Sequence, residues 1–407
     1  MGCTKSLSIK SINDYIARSI SVIKVVDRVY TNSLEYKEDW MRVKERFKAW
    51  WEGELKEPLI QVYTPRKGME DNYSRLQNTW IWGFARNPSN PQQTINTFLE
   101  WCKRTIFFGD MFPNLWVNLG AGIVAGYLGA KVVFKNNTVW IGALGDPSEV
   151  RDWETIDRLL VLDEGSYWWR TTVEITRLSL INGVNKYITA VTDLGGIHDV
   201  LASLRGTTQL IKDMYFNAKK VDEAAWKLLD IWHSYYDKLY DIISQYQVGT
   251  SSILSLWSPR RWYPIQCDLA VFISPKLFEK FIAPILSAQC DRLDHVVYHL
   301  DGPEQINHLD HLLKIEKLHG FQWVPGARME KSGKDCGSDY WLQLYNKILN
   351  SDKRLVISVP YDKILGLLDK LPKRKGIAIH SKCRHAGCED LVKKLMEKLV
   401  EKKYYIY

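Results

Sequence analysis

Apolar residues along this chain recur with two periods. Between residues 34 and 55, Trp40, Val43, Phe47, Trp50 and Leu55 return at helical spacing, which predicts an amphipathic helix with one buried stripe. Pro58 stops it, and 59–63 reads as a first buried strand. Further strands are expected at 116–119, 132–134 with 138–141, 187–191, 253–257, 296–299, 321–324, 355–359 and 377–380. Helical stretches at 222–246, 275–290, 306–318, 338–349 and 389–402 separate most of them. Ser274-Pro275 suits a helix start, with Ser as N-cap and Pro at the first helical position. The pair around Asn136-Asn137 reads as a short hairpin.

Repeated strand–helix alternation predicts an α/β protein, a (β/α)8 TIM barrel over residues 58–407. Residues 1–57 form an N-terminal helical extension, and the polar, turn-rich stretch 66–110 an insertion covering the mouth. An open doubly wound sheet needs a glycine-rich phosphate loop after its first strand, and none follows Tyr63.

At 407 residues, with 46% hydrophobic and 25% charged residues, the chain has material for a large core without metal staples. Its 17 tryptophans suit a barrel mouth that takes a bulky, partly apolar ligand. The net charge of +8 is spread among acids without an aromatic–basic motif, so nucleic acid is excluded as a partner and a small-molecule substrate expected. Seven cysteines at irregular spacings argue against a disulfide framework and for a reducing, cytoplasmic setting. No apolar run approaches the ~20 residues of a transmembrane segment. The start Met1-Gly2-Cys3-Thr4-Lys5-Ser6 fits the short acylation pattern, but so short a match is read first as an ordinary soluble terminus.

On a barrel, chemistry gathers at the C-terminal ends of strands. The groups there are Tyr63 and Arg66, Asn118, Asp193, Trp257 with Arg260 and Arg261, His299 and Asp301, Gln322 and Trp323, then His380 and Cys383. His299-Leu300-Asp301-Gly302-Pro303 and Gly320-Phe321-Gln322-Trp323-Val324-Pro325-Gly326 are apolar runs ending in polar side chains and a turn. Strand alternation sends His299 and Asp301 to one side, as metal ligands or as an acid/base pair. The plainer alternative is a helix cap and an internal hydrogen bond. Asp193 suits a general acid/base or, equally, a helix cap. Arg260 and Arg261 suit a carboxylate or phosphate anchor. The stretch His380-x-x-Cys383-x-His385-x-x-Cys388 admits a closed structural zinc. It also admits an open catalytic centre in which His380 or Cys383 joins His299 and Asp301.

Several of these phrases together resemble the uroporphyrinogen decarboxylase superfamily. They are Gln266-Cys267-Asp268 through Ile273-Ser274-Pro275, then Phe278, Phe281 and Pro284, with Thr192-Asp193-Leu194-Gly195-Gly196, Leu204-Arg205-Gly206-Thr207 and Trp323-Val324-Pro325-Gly326. The resemblance spans roughly residues 38–400 and implies a (β/α)8 barrel that often pairs as a homodimer. The porphyrinogen-gripping Arg-Gln-Ala-Gly-Arg segment of true decarboxylases is replaced here by Tyr63-Thr64-Pro65-Arg66-Lys67-Gly68. The superfamily's other branch, methyltransferases acting between corrinoids and thiols, holds zinc through His-x-Cys and a later Cys. This chain has His299-x-Asp301, followed later by His380 and Cys383.

The resemblance therefore implies a zinc-dependent methyl or alkyl transferase, with a corrinoid, or a corrinoid protein, as methyl donor. Asp193, His299 and Asp301 would be catalytic, and His299, Asp301, Cys383 and His380 would hold the metal. Tyr63, Arg66, Asn118, Trp257, Arg260, Gln322 and Trp323 would bind substrate. Two alternatives stay open. One is a metal-free, decarboxylase-like lyase using Arg66 or Arg260 and Arg261 as anchors. The other is a non-catalytic corrinoid- or tetrapyrrole-binding protein.

Overall fold

The stripe beginning at Trp40 forms helix α1, Trp40–Glu52, with Trp40, Val43, Phe47 and Trp50 buried. Gly53 ends it at φ +73°, a left-handed conformation that costs glycine nothing. The structure, a computed structural model, describes residues 33–407. The candidate acylation motif at Gly2 and Cys3 and the first part of the predicted extension lie outside the described residues.

Eleven strands follow among the described residues. They are β1 (Leu59–Pro65), β2 (Thr105–Gly109), β3 (Asn114–Trp116), β4 (Val132–Lys135), β5 (Thr138–Ile141) and β6 (Ile188–Ala190). The C-terminal half adds β7 (Trp262–Gln266), β8 (His295–Asp301), β9 (Gly320–Val324), β10 (Arg354–Ser358) and β11 (Ile377–Lys382). A seven-stranded sheet runs β2-β1-β11-β10-β9-β8-β7. All its pairings are parallel except β1 with β2. The last strand thus returns to pair with the first. Strands β3 and β6 form a separate parallel pair, and β4 and β5 an antiparallel hairpin. Asn136 and Asn137 both have positive φ in its turn, the geometry of the tight hairpin turn that asparagine tolerates. The architecture is α/β with a parallel central sheet, and its strands do not form one continuously hydrogen-bonded cylinder.

The strand expected at 253–257 is an irregular loop, with Ser255 at φ +52°. Paired backbone bonds between Thr250 and Ser258 close it at the base. The strand falls instead at β7, which contains Pro264. A proline cannot donate to a ladder, but β7 is the end of the sheet and pairs only with β8, so one missing N–H is tolerated. The loop's Ser251 carbonyl accepts from Val191 N–H at 2.9 Å, placing the loop beside β6. The helix expected over 275–290 is broken by a wider turn at Phe278–Ile282 before Ala283–Asp291. Pro284 has no N–H to give to the preceding turn, which accounts for the break. Ser274 caps the start as expected, accepting from Leu277 N–H at 3.4 Å.

Alternation along the strands sorts their side chains into two cores. Leu59, Ile188, Trp262, Val297, Val356 and Ala378 form an inner cluster with Phe112, Leu256 and Trp257. Their strand neighbours Ile60, Ile265, Val296, Tyr298, Leu355 and Ile379 belong to the outer core against the helices. Helix α1 seals the base of the inner cluster with Trp40, Trp50 and Trp51. Trp40 meets Trp257 edge-on at 5.7 Å, and Trp51 stacks on His295 at 4.4 Å. Arg354 donates to the carbonyls of Trp50 and Trp51 at the end of α1. Five tryptophans, Trp40, Trp50, Trp51, Trp257 and Trp262, therefore plug the base, and of these only Trp257 was expected at the mouth.

Candidate functional site

One step further along each strand, the inward positions turn polar. The register places Gln266 beside His299, and His299 beside Gln322. Across the sheet, Ser358 lies beside His380, and His380 beside Gln61. Trp116, Asp193, Tyr263, Gln266, His299, Gln322, Ser358 and His380 line a cavity of about 270 Å³ above the apolar layer. Position along the strand therefore decides whether an inward side chain packs the base or faces the cavity.

His299 donates from Nδ1 to Oε1 of Gln322 at 2.5 Å. That bond fixes the tautomer and leaves the Nε2 lone pair free. Nε2 lies 3.8 Å from Oδ2 of Asp301. Asp268 completes the group: one donor atom from each of Asp268, His299 and Asp301 falls within 4.8 Å of the others. The register explains the meeting, because Gln266 pairs with His299 and each strand runs on two residues, to Asp268 and Asp301. An imidazole nitrogen and two carboxylates make a donor set for a borderline or hard divalent cation, zinc included.

More carboxylates stand behind this group. Asp199 accepts from the N–H groups of Asp268 and Leu269 at 3.0 and 2.9 Å. Burial, reinforced by the Asp268 charge, pushes its carboxyl up to about 7. Asp268 reaches the water of the cleft, but its recessed position, with the charges of Asp301 and Asp193, pushes it up to about 7 as well. Asp193 accepts from Gly195 N–H at 2.8 Å and Gly122 N–H at 3.4 Å. Burial raises its carboxyl, while those N–H groups and nearby His299 oppose the rise. A Cβ on Gly195 would stand 2.5 Å from the Gly122 Cα, so glycine there lets the two loops meet under the carboxylate. On the far wall, burial and the charges of Lys382 and Arg384 lower His380 to about 4, leaving it a neutral imidazole at neutral pH.

The remaining sequence candidates are placed as follows. Cys383 is bonded to Cys388 as a disulfide, so its sulfur is not free to join His299 and Asp301. The two Cα atoms are 5.6 Å apart, within ordinary bridging reach, which the irregular cysteine spacing did not suggest. His380 lines the cavity but is not part of the Asp268–His299–Asp301 group. Tyr63 is buried, accepting from Gln77 Nε2 at 2.7 Å and lying 5.8 Å from the His380 ring. Asn118 spends its amide on the Ile81 carbonyl and Gly120 N–H. Arg66 is exposed and donates to the Lys103 carbonyl at 3.1 Å. Arg260 is exposed ahead of β7, at the end of the sheet opposite the cavity, and Arg261 pairs with Asp237 at 2.7 Å. Trp257 is in the apolar base, and Trp323 points outward onto Trp341 at 4.7 Å. Both had been assigned to the mouth as the ends of strands; one of those strands is absent, and on the other the alternation hands the cavity to Gln322.

Asp268, Asp199, Gln266 and Ser358 were not singled out from sequence as site residues. The misplaced seventh strand hid the first three, since only β7 brings Gln266 and Asp268 level with β8. Trp116 Nε1 and Thr192 Oγ1 are buried at the cavity without a partner, and each can serve a bound molecule.

No protein-family model matches this chain, and no curated protein matches it. Among solved structures, a methyltransferase from Methanosarcina mazei superposes with a TM-score of 0.53 over 87% of this chain and 98% of that one, at 13% identity. At that identity the likeness shows the fold. Among the described residues no helix is long and apolar enough to cross a membrane.

Proposed function

We propose that this chain is a metal-dependent methyl or alkyl transferase, built on an interrupted (β/α)8 barrel of the uroporphyrinogen decarboxylase type. The observation that carries the reading is the oriented His299 ring, whose free Nε2 faces the Asp268 and Asp301 carboxylates. The fold shared with a methyltransferase supports it. Asp268, His299 and Asp301 are the residues to hold the cation, with zinc as the candidate. This oxygen-rich set is harder than one containing thiolates. When bound, such an ion supplies Lewis acidity that lowers the pKa of a thiol or similar acceptor.

The chain's own groups do the rest. Gln322 holds the imidazole in the ligating tautomer. Trp116 Nε1, Thr192 Oγ1, Gln266 and Ser358 orient the acceptor. Asp193, at the cavity wall with its carboxyl raised by burial, holds or accepts the acceptor's proton. A cavity of about 270 Å³ suits a small acceptor. A corrinoid donor, far larger, stays at the mouth, delivered free or on a partner protein.

The lyase alternative loses its anchors, because Arg66 and Arg260 are elsewhere and the described cavity-lining residues include no arginine or lysine. The deciding experiment is metal analysis of the wild type, His299→Ala and Asp301→Asn, followed by methyl transfer from methylcobalamin to a small thiol. Near one equivalent of zinc at this site, lost in both variants together with transfer, is the expected result. A metal-free, zinc-refractory cavity would overturn the reading; bound corrinoid without turnover would favour the non-catalytic binder.

A further inference from the structure

The turn after β11 carries a second donor cluster that the cavity chemistry leaves unused. Cys383, His385 and Cys388 each offer one ligand atom, all within 4.8 Å of one another. Both cysteines are buried and His385 is exposed. The sulfurs are joined in the structure, yet the surroundings are arranged as around a metal-bound thiolate. His385 Nδ1 donates to the Ala386 carbonyl at 2.9 Å, the tautomer that leaves a lone pair on Nε2. That Nε2 is 3.6 Å from the Cys383 sulfur. The backbone N–H of His385 donates to the Cys388 sulfur at 3.2 Å. Cys388 also opens the 14-residue helix Cys388–Glu401, whose positive end favours a thiolate.

We propose that, once the disulfide is reduced, Cys383, His385 and Cys388 form a second metal site, selective for a thiophilic divalent ion of the zinc type. Two thiolates and one imidazole are too soft for magnesium or calcium. The exposed side of His385 leaves the fourth tetrahedral position to water. Disulfide and metal use the same sulfurs, so the two states exclude each other. A dithiol reductant transfers two electrons and two protons to the disulfide, yielding two thiols and leaving as its own cyclic disulfide. Cation binding then releases both thiol protons to solvent. In either state the end of β11 is tied to the last helix, and Lys382 and Arg384 keep their place near His380.

The test uses the full chain, reduced with dithiothreitol, freed of it anaerobically and titrated with cobalt(II). Thiol counting verifies that Cys383 and Cys388 are reduced, and circular dichroism that the protein is folded. The expected result is a sulfur-to-cobalt charge-transfer band in the near ultraviolet that saturates with one equivalent of cobalt at the cysteine site, whatever the carboxylate site takes up, and is absent from the oxidised protein. His299→Ala should keep that band and Cys388→Ser should lose it. His385→Ala, a change at an exposed side chain that the fold tolerates, should weaken binding by about tenfold or more. Folded, reduced protein without the band would overturn the proposal, as would a band that His299→Ala removes. Because the carboxylate group gives no sulfur band, failure here is distinguishable from failure of the cavity site.

Discussion

The Nδ1–H of His299 donates to Oε1 of Gln322 at 2.5 Å across the β8–β9 pair, and that bond decides what the other ring nitrogen can do. Without it the imidazole can turn, or carry its proton on the atom facing Asp268 and Asp301. Gln322→Leu is therefore expected to weaken divalent-cation binding about 10–100-fold while leaving the thermal midpoint nearly unchanged. Calorimetric titration with zinc measures the first and a melting curve the second. Unchanged affinity would mean that the bond merely packs the β8–β9 pair.

The acidic cluster sets two opposed pH dependences. Asp199 and Asp268 are both raised from 3.8 to about 7. Between those values the folded chain keeps protons that the unfolded chain has released. By linkage, the stability of the metal-free protein is fullest at low pH and falls as pH rises toward about 7 on account of this pair. Cation binding needs Asp268 ionised, so affinity rises through the same range. Denaturation curves from acid to neutral pH, with and without zinc, should show the two slopes. Asp268→Asn should flatten the first and abolish the second.

Trp257 separates base from mouth. It is fully buried beside Trp40 and donates from Nε1 to the Val248 carbonyl at 3.0 Å. Trp257→Ala should cost about 3–5 kcal/mol of stability and leave zinc affinity unchanged. A variant of normal stability with impaired ligand binding would return Trp257 to the mouth, against the packing described above.

The base is also held by an almost fully buried ion pair. Asp110 is completely buried and accepts from Arg46 Nε at 2.7 Å, Ile60 N–H at 2.9 Å and Tyr405 Oη at 3.2 Å. Asp110→Ala leaves the Arg46 charge buried and uncompensated, at a cost of about 3–5 kcal/mol. Chemical denaturation checks it. Arg46→Met with Asp110→Leu should recover part of the loss, because the pair's net worth is far smaller than the cost of halving it.

Local pattern was enough for α1, for most of the strands, and for His299 and Asp301 sharing a face. Each depends only on residues a few positions apart: the helical stripe of Trp40, Val43, Phe47 and Trp50, or the two-residue repeat of β8. The Asn136-Asn137 hairpin was legible for the same reason, since its turn chemistry lies in its own two residues. What failed was any judgement that needed a neighbour. Residues 253–257 are the more apolar run, yet 262–266 is the strand. Pro264 is harmless only because β7 lies at the sheet's edge, and edge status is a property of the assembled sheet.

The sequence by itself determined the strand–helix alternation, the inward parity of β8 and the chemistry of the side chains that parity displays, because those follow from the short-range geometry of the backbone. Tertiary structure decided which partners those side chains meet. Asp268 joins His299 and Asp301 through the β7–β8 register, Gln322 rather than Trp323 faces the cavity, and Cys383 turns to Cys388 instead of the carboxylates. The physical reason is that register, edge position and the depth of a residue along its strand are set by contacts between segments far apart in the chain, which no local period records.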